Sequence, residues 1–355
     1  MAHFPKEIVA KRNESDLRME LINGSAVQLV GSDNIDSVLG TNPIGCVFSE
    51  YALQDPRAWD YMRPILRENA GWAIFDYTPR GKNHGLSLYQ MAKTNPDWYA
   101  EILTVEDTQA LSLADIQAER VAGMSEELIQ QEFYCSFEGV LSGAVFGKAM
   151  QEAERAGRIC GVPWQPEFPV HTWWDIGTKD PTAIWFTQDI GREVHVIDYY
   201  ENSGVGVGVD YYINHLQKLP YTWGTHHGPH DLEAHQFAAN GKSTLEVAEA
   251  LGFGFTVTDR LSKQAQLDAG RAFLQRCWFD RVKTERGRDA LVSYHFQWDD
   301  RRKAFADVPY HDWSSNGADA FMQLAVGHKF AIPKPKAIVE VVQYSKDEES
   351  SMWMG

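Results

Sequence analysis

Three aspartates far apart in the sequence are the residues best suited to carry chemistry. Asp175 follows an apolar run that begins at residue 171, Asp231 closes the segment GTHHGPHD, and Asp319 lies near the start of the last predicted helix. Carboxylates from separate elements that meet at one end of a sheet can hold two Mg²⁺ or Mn²⁺ ions about 4 Å apart. One ion would activate water and the other would stabilise the leaving oxygen. The set therefore predicts a two-metal phosphodiester hydrolase.

Two further aspartates stand close in sequence to members of this set. Asp180 follows Asp175 and Asp312 precedes Asp319, so either could bind a second metal or orient water. Taken singly, each has an ordinary structural explanation, because Asp180 before a proline suits a turn and Asp312 suits a cap before the last helix. Only the combination of carboxylates favours a catalytic centre.

The sequence Gly-Lys-Ser-Thr at residues 241–244 resembles the end of a phosphate-binding loop. Such a loop needs an earlier glycine, separated from the Gly-Lys pair by four residues, so that backbone amides can wrap a phosphate. Gln236 holds that position, and the preceding residues are polar and helix-prone where a buried strand is required. The sequence therefore argues against ATP binding and predicts that this segment begins a helix.

A cluster of histidines raises the alternative of a zinc centre. Zinc hydrolases space their ligands as H-x-H-x-D-H or H-E-x-x-H, and neither spacing is present. Contacts to phosphate or to the metal-binding carboxylates explain these residues better. The four histidines are His226, His227, His230 and His235.

The net charge of −16 argues against nucleic acid as a partner. Between residues 260 and 303, however, basic residues outnumber acidic ones, and such a stripe can follow a phosphate backbone. A solvated helical face would show the same composition, so charge alone leaves both explanations open. The candidate DNA contacts are Arg260, Lys263, Arg271, Arg301, Arg302 and Lys303.

The elements around the aspartates predict an RNase H-like fold, a mixed sheet flanked by helices. Three β-rich runs separated by tight turns predict an antiparallel meander, and alternating helices and strands follow it. The last helix is expected to start at Ser314 or Ser315, which are good capping residues. The predicted strands are 171–177, 182–188, 193–200, a strand ending near 231 and FGFTVT, and the predicted helices lie near 209–219, near 243–251, up to about 290, and at the end.

The first third of the chain predicts a separate α/β unit. Apolar runs at 25–31, 45–51 and 71–78 suit buried parallel strands, and residues 55–69 have helical spacing. Residues 112–132 are predicted helical as well.

Two strand-end residues of this unit suit an ATPase. Glu50 has the type and place of a glutamate that polarises the water attacking a γ-phosphate, and Thr78 follows the next strand. Without a phosphate-binding loop neither has a phosphate to act on. Capping of a loop explains both residues equally.

The composition argues against a membrane-spanning protein, and a Pro-rich segment indicates where the domains divide. No apolar run reaches the roughly 18 to 20 residues of a membrane span, and four scattered cysteines without a C-x-x-C pair fit reduced thiols. The Pro-rich segment CGVPWQPEFPV marks a boundary. The expected divisions are 1–125 (partial ATPase domain), 126–168 (connecting segment), 169–330 (nuclease domain) and 331–355 (C-terminal tail).

Several segments together resemble the large terminase subunit of tailed bacteriophages and prophages, the DNA-packaging motor and nuclease. Their order matches that of the family, and they extend over nearly the whole chain up to about residue 328. The segments are NPIGCVFSEYAL, YTPRGKNHG, EELIQQEFYCSFEG, DIGTKDPTAIWF, GPHDLEAHQFAANGKS and HDWSSNGADAF.

The resemblance implies an ATPase domain joined to an RNase H-like nuclease that cuts concatemeric double-stranded DNA with two Mg²⁺ or Mn²⁺ ions. It implies the portal protein and the small terminase subunit as partners, no membrane partner, and the bacterial host cytoplasm as the location. The residues matched are Asp175, Asp231 and Asp319 as nuclease aspartates, Asp312 as a rival third, Asp180 as an accessory acid, Glu50 as the Walker B glutamate and Thr78 in the coupling motif.

Departures from the family pattern define the alternative. The chain begins inside the ATPase domain, so ATP is not expected to bind, and the lost strand should leave an apolar edge and face of the small sheet exposed. Ser49 replaces a metal-orienting aspartate, Asn316 a common histidine, and Met322-Gln323 a common Arg-Tyr pair. The leading hypothesis is a metal-dependent endonuclease. The alternative is an inactive prophage remnant or assembly component that binds DNA or portal without cutting.

Overall fold

A computed structural model describes residues 4–31, 40–139, 141–177, 181–202, 207–233, 243–299, 302 and 304–328. The strands in this part of the chain are β1 (Val9–Asn13), β2 (Arg18–Leu21), β3 (Ala26–Gln28), β4 (Gly45–Ser49), β5 (Trp72–Asp76), β6 (Ile159–Cys160), β7 (Val170–Asp175), β8 (Thr182–Ile190), β9 (Glu193–Asn202), β10 (Trp223–Gly228), β11 (Phe255–Val257), β12 (Cys277–Asp280), β13 (Trp298–Asp299) and β14 (Ala304–Phe305). The helices are α1 (Arg57–Glu68), α2 (His84–Thr94), α3 (Val105–Thr108), α4 (Leu113–Val121), α5 (Glu126–Glu132), α6 (Gly147–Arg155), α7 (Val209–Leu216), α8 (Thr244–Ala250), α9 (Lys263–Phe273), α10 (Glu285–Ser293) and α11 (Ser315–Gly327).

The largest sheet has seven strands in the order β11-β10-β7-β8-β9-β12-β6. Strand β8 is antiparallel to its neighbours β7 and β9, whereas β10, β11, β12 and β6 pair in parallel. Counted from β7, the first five strands have the order 3-2-1-4-5 with the second strand antiparallel, which is the RNase H-like arrangement. The predicted fold class and the predicted meander are therefore confirmed. Strand β12 was not predicted, and β6 adds a seventh strand from a segment that precedes the predicted boundary at residue 169.

Both faces of this sheet are covered, which explains its continuous apolar strands. Successive side chains of a strand point to opposite faces. Trp173 accordingly packs in the core under α6, α9, α10 and α11, and Trp174 packs in the core under α7 and α8. On β8, Trp185 joins the first core and Ile184 the second. Both adjacent tryptophans are therefore buried, each in a different core.

Helix α11 packs directly on the seven-stranded sheet, and contacts near the N-terminus of the helix hold it there. The Trp185 Nε1–H donates to the Gly317 carbonyl at 2.8 Å. A Cβ on Gly317 would stand 2.8 Å from the Tyr199 hydroxyl and 2.9 Å from the Ala290 Cβ, so only glycine permits this approach. The helix begins at Ser315, as predicted, and Asp319 therefore lies in its second turn, whereas we expected it in the first.

The N-terminal region contains a much smaller parallel sheet. Strands β4 and β5 pair in parallel, as predicted, and α1 lies where residues 55–69 predicted a helix. One face of this sheet packs in an aromatic core with Phe48 and Met62. The opposite face is exposed, as expected from the sequence. Its exposed apolar side chains, called the outer face below, are Val47, Trp72 and Ile74.

The prediction for residues 25–31 was wrong. Strand β3 pairs antiparallel with β2 in a separate three-stranded sheet, and all three of its residues are exposed. An apolar run indicates a strand but not its partner. Here the short turn between β2 and β3 lets adjacent segments pair before any distant strand can.

Local helix-start signals were read correctly. Ser112 and Asp115 form a capping box at α4, and α5 completes the helical stretch predicted for 112–132. Ser243 and Glu246 form a capping box at α8, so the second half of the Gly-Lys-Ser-Thr segment does begin a helix. None of the helices in the described residues is both long and apolar enough to cross a membrane.

Candidate functional site

Two of the predicted aspartates follow neighbouring parallel strands. Asp175 is the last residue of β7, and Asp231 lies in the short 3-10 helix His230–Glu233 after β10. The register places His227 of β10 opposite Trp173 of β7. Because parallel strands end at the same edge of a sheet, both aspartates belong to the same edge, where open α/β sheets bind their ligands.

A buried tyrosine marks where the other carboxylates gather. Tyr294 follows α10 and is 2% exposed. Burial raises the pKa of its hydroxyl far above the usual value, and the hydroxyl also donates a hydrogen bond to Asp319. The negative charges of Asp319, Asp312 and Asp175 raise this pKa further. The hydroxyl of Tyr294 therefore contacts one carboxylate, that of Asp319, and lies within the electrostatic influence of two others.

Lys263 supplies the positive charge of this group. It is the first residue of α9, where Ser262 caps the helix by accepting from the Ala265 amide. The Lys263 Nζ lies 2.6 Å from Oδ1 of Asp319 and 5.7 Å from the centroid of the Tyr294 ring. The sequence suggested a DNA contact for Lys263. In the structure it neutralises a carboxylate of the centre.

Asp312 holds the start of α11. Its Oδ1 accepts from the Ser314 amide at 2.8 Å and from the Ser314 hydroxyl at 2.5 Å, and its own amide donates to the Ser315 hydroxyl at 3.0 Å. The sequence left two roles open for this residue, a helix cap and a metal ligand. The capping contacts are present, and they engage Oδ1 while the charge still acts on Tyr294.

Asp231 stands apart from this group. Its side chain is 78% exposed, and its Oδ1 lies 2.9 Å from Nε2 of His230. No three His, Cys, Asp or Glu side chains in the described residues lie close enough together to hold one metal ion. Carboxylate oxygens at this edge of the sheet are suitable ligands for Mg²⁺ or Mn²⁺. The spacing of the described carboxylates in this structure does not let them hold one ion together. Asp180 lies outside the described residues.

The remaining candidates for DNA contact differ in whether their side chains already pair with other residues of the protein. Arg260 is exposed in the loop before α9. Arg271 bonds to Asp268 at 2.9 Å and to the Val145 carbonyl at 3.1 Å, and Arg302 pairs with Asp307 at 3.1 Å. Arg301 and Lys303 lie outside the described residues.

The histidines of β10 act in packing and hydrogen bonding. Nδ1 of His226 lies 2.7 Å from the Thr172 hydroxyl, and the ring stacks on Phe253 at 4.0 Å between centroids. Burial, followed by the neighbouring His227 and His171, lowers the pKa of His226 to about 4. His227 stacks on Trp173, and His235 lies outside the described residues.

Glu50 and Thr78, which follow the strands of the small sheet, do not belong to the set of aspartates formed by Asp175, Asp312 and Asp319. Glu50 directly follows β4 and is exposed, with a left-handed backbone (φ 57°, ψ 43°). Thr78 follows β5 and is half-buried. Both lie beyond the same edge of the parallel pair, as the sequence predicted.

A cavity of about 740 Å³ lies elsewhere, between α2, α6, α10 and residues 135–139. Burial raises the pKa of Asp289 on its wall to about 7. None of Asp175, Asp231, Asp312 or Asp319 lines this cavity. The acidic chemistry is therefore at the sheet edge and not in the larger cavity.

Sequence reasoning missed Tyr294. It lies in LVSYHFQW, an aromatic and apolar run that indicates core packing and gives no signal of a carboxylate partner. Lys263 was noticed only through its charge, because residues 56 positions apart give no sequence sign of contact.

No family model matches the chain, and no curated protein matches it. Among solved structures, a large terminase from a thermophilic bacteriophage, in complex with ADP, is similar at 13% identity and a TM-score of 0.39, covering 89% of this chain and 77% of that chain. The Thermus phage P74-26 large terminase ATPase domain is similar at 17% identity and a TM-score of 0.31, covering 37% of this chain and 64% of that chain. The large terminase nuclease from thermophilic phage G20c with bound cobalt is similar at 13% identity and a TM-score of 0.36, covering 51% of this chain and 97% of that chain.

Proposed function

We propose that this protein is a metal-dependent endonuclease that cuts double-stranded DNA, of the kind found in phage DNA-packaging terminases. The observation that carries the proposal is the position of Asp175 at the carboxyl end of β7, near enough to Asp319 and Asp312 for all three charges to act on the Tyr294 hydroxyl. Acids that are partly buried and near one another are costly unless a cation compensates their charge. The place of Asp175 at this strand end, in a sheet of RNase H-like order, supports phosphodiester hydrolysis.

Asp175, Asp319 and Asp312 would hold the metal, with Asp231 and Asp180 as further ligands. Mg²⁺ or Mn²⁺ bound there would supply an activated water and stabilise the leaving oxygen. Tyr294 orients the Asp319 carboxylate by donating to it. Lys263 contacts Oδ1 of the same carboxylate, and it would have to give up this contact for that oxygen to become a ligand.

Lys263 then has a second use in the proposal. Lys263 begins α9 three residues after exposed Arg260, and an ammonium released from Asp319 would be free to contact a DNA phosphate. Contacts of this type position DNA without reading its sequence. The portal protein and the small terminase subunit are proposed partners on the strength of the sequence resemblance, and ATP binding is not part of the proposal.

A protein that binds DNA or portal without cutting it is the second candidate. Three observations favour it. Lys263 already occupies Asp319, and the exposed Asp231 side chain leaves the described carboxylates without a three-ligand group. The residues Met322-Gln323 in the last helix also depart from the family pattern.

Plasmid cleavage with Mn²⁺ or Mg²⁺ separates the two candidates. We expect the wild type to nick or linearise supercoiled plasmid and Asp175→Ala to lose at least about a hundredfold in rate, because the variant lacks a ligand that stabilises the transition state. Asp268→Ala is the matched control, since Asp268 is an exposed acid of α9 whose partner is Arg271.

Three outcomes are distinguishable. Activity that is lost in Asp175→Ala and kept in Asp268→Ala supports the nuclease. A wild type that retards plasmid in a gel but does not cut it with either metal supports the binding-only candidate. Equal cleavage by wild type and Asp175→Ala would show that the activity does not come from this centre.

A further inference from the structure

A tryptophan next to one of the carboxylates connects the centre to the N-terminal region. Trp313 lies between Asp312 and Ser314, directly before α11. Its Nε1–H donates to the Leu53 carbonyl at 3.3 Å, and its ring meets the His84 ring edge-on with centroids 5.9 Å apart. The peptide that carries Asp312 is therefore attached to a loop about 260 residues earlier in the chain.

One face of the Trp313 ring is covered by Arg286 of α10. The guanidinium carbon lies 4.4 Å from the ring centroid, a distance at which a cation and an aromatic face attract each other. The same guanidinium places Nη1 3.0 Å from Oδ1 of Asp55 and Nη2 2.9 Å from Oε1 of Glu201. One arginine thus joins the tryptophan, a residue of the N-terminal region and a residue of the large sheet.

Trp313, Arg286, Asp55 and Glu201 form what we call the junction. Its ion pairs are buried. The side chains of Asp55 and Glu201 are 5% and 3% exposed. Arg57 adds a second base and donates to Asp55 at 2.8 Å. Burial alone would raise the pKa of Asp55, but Arg286 and Arg57 outweigh it and lower that pKa. Two acids and two bases balance each other, so removing one leaves a buried charge without compensation, which is strongly unfavourable.

The loop on the N-terminal side is rigidly held. Tyr51–Leu53 form a 3-10 turn directly after the left-handed Glu50. The side chain of Asn83 donates to the Ala52 carbonyl at 2.8 Å, and Nε2 of His84 lies 2.8 Å from the Tyr51 carbonyl. A displacement of the segment Glu50–Asp55 would therefore move the Leu53 carbonyl and Asp55 together.

We propose that Trp313 and Arg286 are positioning residues that make the placement of Asp312 and the start of α11 depend on the loop formed by residues 50–55. Asp312 accepts from the Ser314 amide, and Trp313 lies between the two residues, so a displacement of the Trp313 backbone would also displace the Asp312 carboxylate. A ligand or partner chain that engages the exposed Glu50 would reach the carboxylate centre by this route. The inference rests on the proposed function only for its cleavage readout.

Four variants of the full-length chain test the connection. Asp55→Asn removes a charge at nearly constant shape, and Trp313→Phe keeps an aromatic ring without the N–H donor. Asp97→Asn and Trp298→Phe are the matched controls, because both residues are exposed and lie away from the junction.

Hydrogen exchange of the Ser314 and Ser315 amides is the primary readout, because these amides bond to Asp312. Exchange of the Phe321 amide in the same helix serves as the reference for global opening. We expect Asp55→Asn and Trp313→Phe to speed exchange at 314–315 about tenfold relative to Phe321, and both controls to stay within twofold of the wild type.

The metal requirement gives the second readout. Displacement of Asp312 should raise the Mn²⁺ concentration for half-maximal cleavage at least about fivefold in both junction variants. It should lower the maximal rate less, because a misplaced ligand can still be recovered at high metal concentration. Free Mn²⁺ measured by electron paramagnetic resonance reports binding without any cleavage.

The outcomes separate the two proposals. Faster exchange at 314–315 in a wild type that never cuts DNA supports the connection and rejects the nuclease. Exchange within twofold of the wild type in both junction variants overturns the connection, whatever the cleavage result. Should Asp55→Asn fail to fold, Trp313→Phe decides alone, since it leaves every buried charge in place.

Discussion

The seven-stranded sheet and the parallel pair β4-β5 differ in how many of their faces are covered, and we interpret their roles from this difference. The seven-stranded sheet lies between two cores and carries the carboxylates at one edge. The pair β4-β5 has one core and an exposed outer face that includes Val47 and Ile74. A sheet covered on both faces can fix side chains at its edge from both sides. A sheet covered on one face is suited to contact something else.

The same contrast applies to the acidic residues at the sheet ends. At the large sheet, Asp319 is held by Lys263 and Tyr294. At the small sheet, Glu50 is exposed and has a left-handed backbone. The chemistry that we propose therefore belongs to the large sheet, and the loop after Glu50 contributes through its contact with Trp313.

The largest expected effect is the loss of folding stability when a buried aromatic ring is removed from a core. Phe321→Ala should destabilise the C-terminal region by about 4 kcal/mol, and Phe48→Ala should destabilise the N-terminal region by about 3 kcal/mol, since each removes a buried ring. Urea unfolding followed by far-ultraviolet circular dichroism and by tryptophan fluorescence measures both. We expect two transitions, with each variant shifting only one.

A conservative variant in each region serves as the control. Ile184→Val and Met62→Leu keep most of the buried volume, and each should cost less than about 1.5 kcal/mol. A single transition that both phenylalanine variants shift equally would show that the two regions unfold as one unit. The seven-stranded sheet and the pair β4-β5 would then differ in how their faces are covered, but the two regions would not unfold separately.

A smaller effect is expected on acidification, and it should occur in both regions. Burial lowers the pKa of His84 and of His226 to about 4, below the usual value near 6.5. Between these values the unfolded chain binds the proton and the folded chain does not. Stability is therefore lost as the pH falls from about 6.5 to about 4, by up to about 3 kcal/mol per histidine.

Substitution by glutamine assigns each loss to its region. His84→Gln should flatten the acid dependence of the N-terminal transition and His226→Gln that of the C-terminal transition, measured by urea unfolding at pH 7 and pH 4.5. His311→Gln, at an exposed position, is the control. An unchanged acid dependence in both buried variants would contradict the assignment.

The smallest effect on stability is expected at the outer face. Val47→Lys with Ile74→Lys should change the free energy of unfolding by less than about 0.5 kcal/mol per site, because both side chains are already exposed. Self-association, measured by light scattering, should fall because the apolar face is interrupted.

Val282→Lys is the matched control. Val282 is also an exposed valine, but it belongs to the large-sheet region and not to the outer face. It should leave scattering unchanged. Equal effects of the control and the double variant would show that net charge, and not the outer face, governs association.

Most of the large sheet could be predicted from the sequence, because its signals are local. Alternating apolar runs with turns between them specify the meander, and Ser243 specifies a helix start wherever the chain lies. The run at 25–31 was misassigned because apolar composition does not choose a partner strand. Strand β12 was missed because four residues between helices give too short a pattern.

The site shows the same division. The sequence by itself determined which residues could do chemistry, since residue type and the strand-end position of Asp175 follow from local patterns. Only the tertiary structure decided that Lys263 and Tyr294 hold Asp319, that Asp231 faces solvent, and that Trp313 meets Leu53. These contacts join residues that are distant in the chain. They depend on how α9, α10 and α11 pack on one sheet, because packing fixes distances that no local pattern encodes.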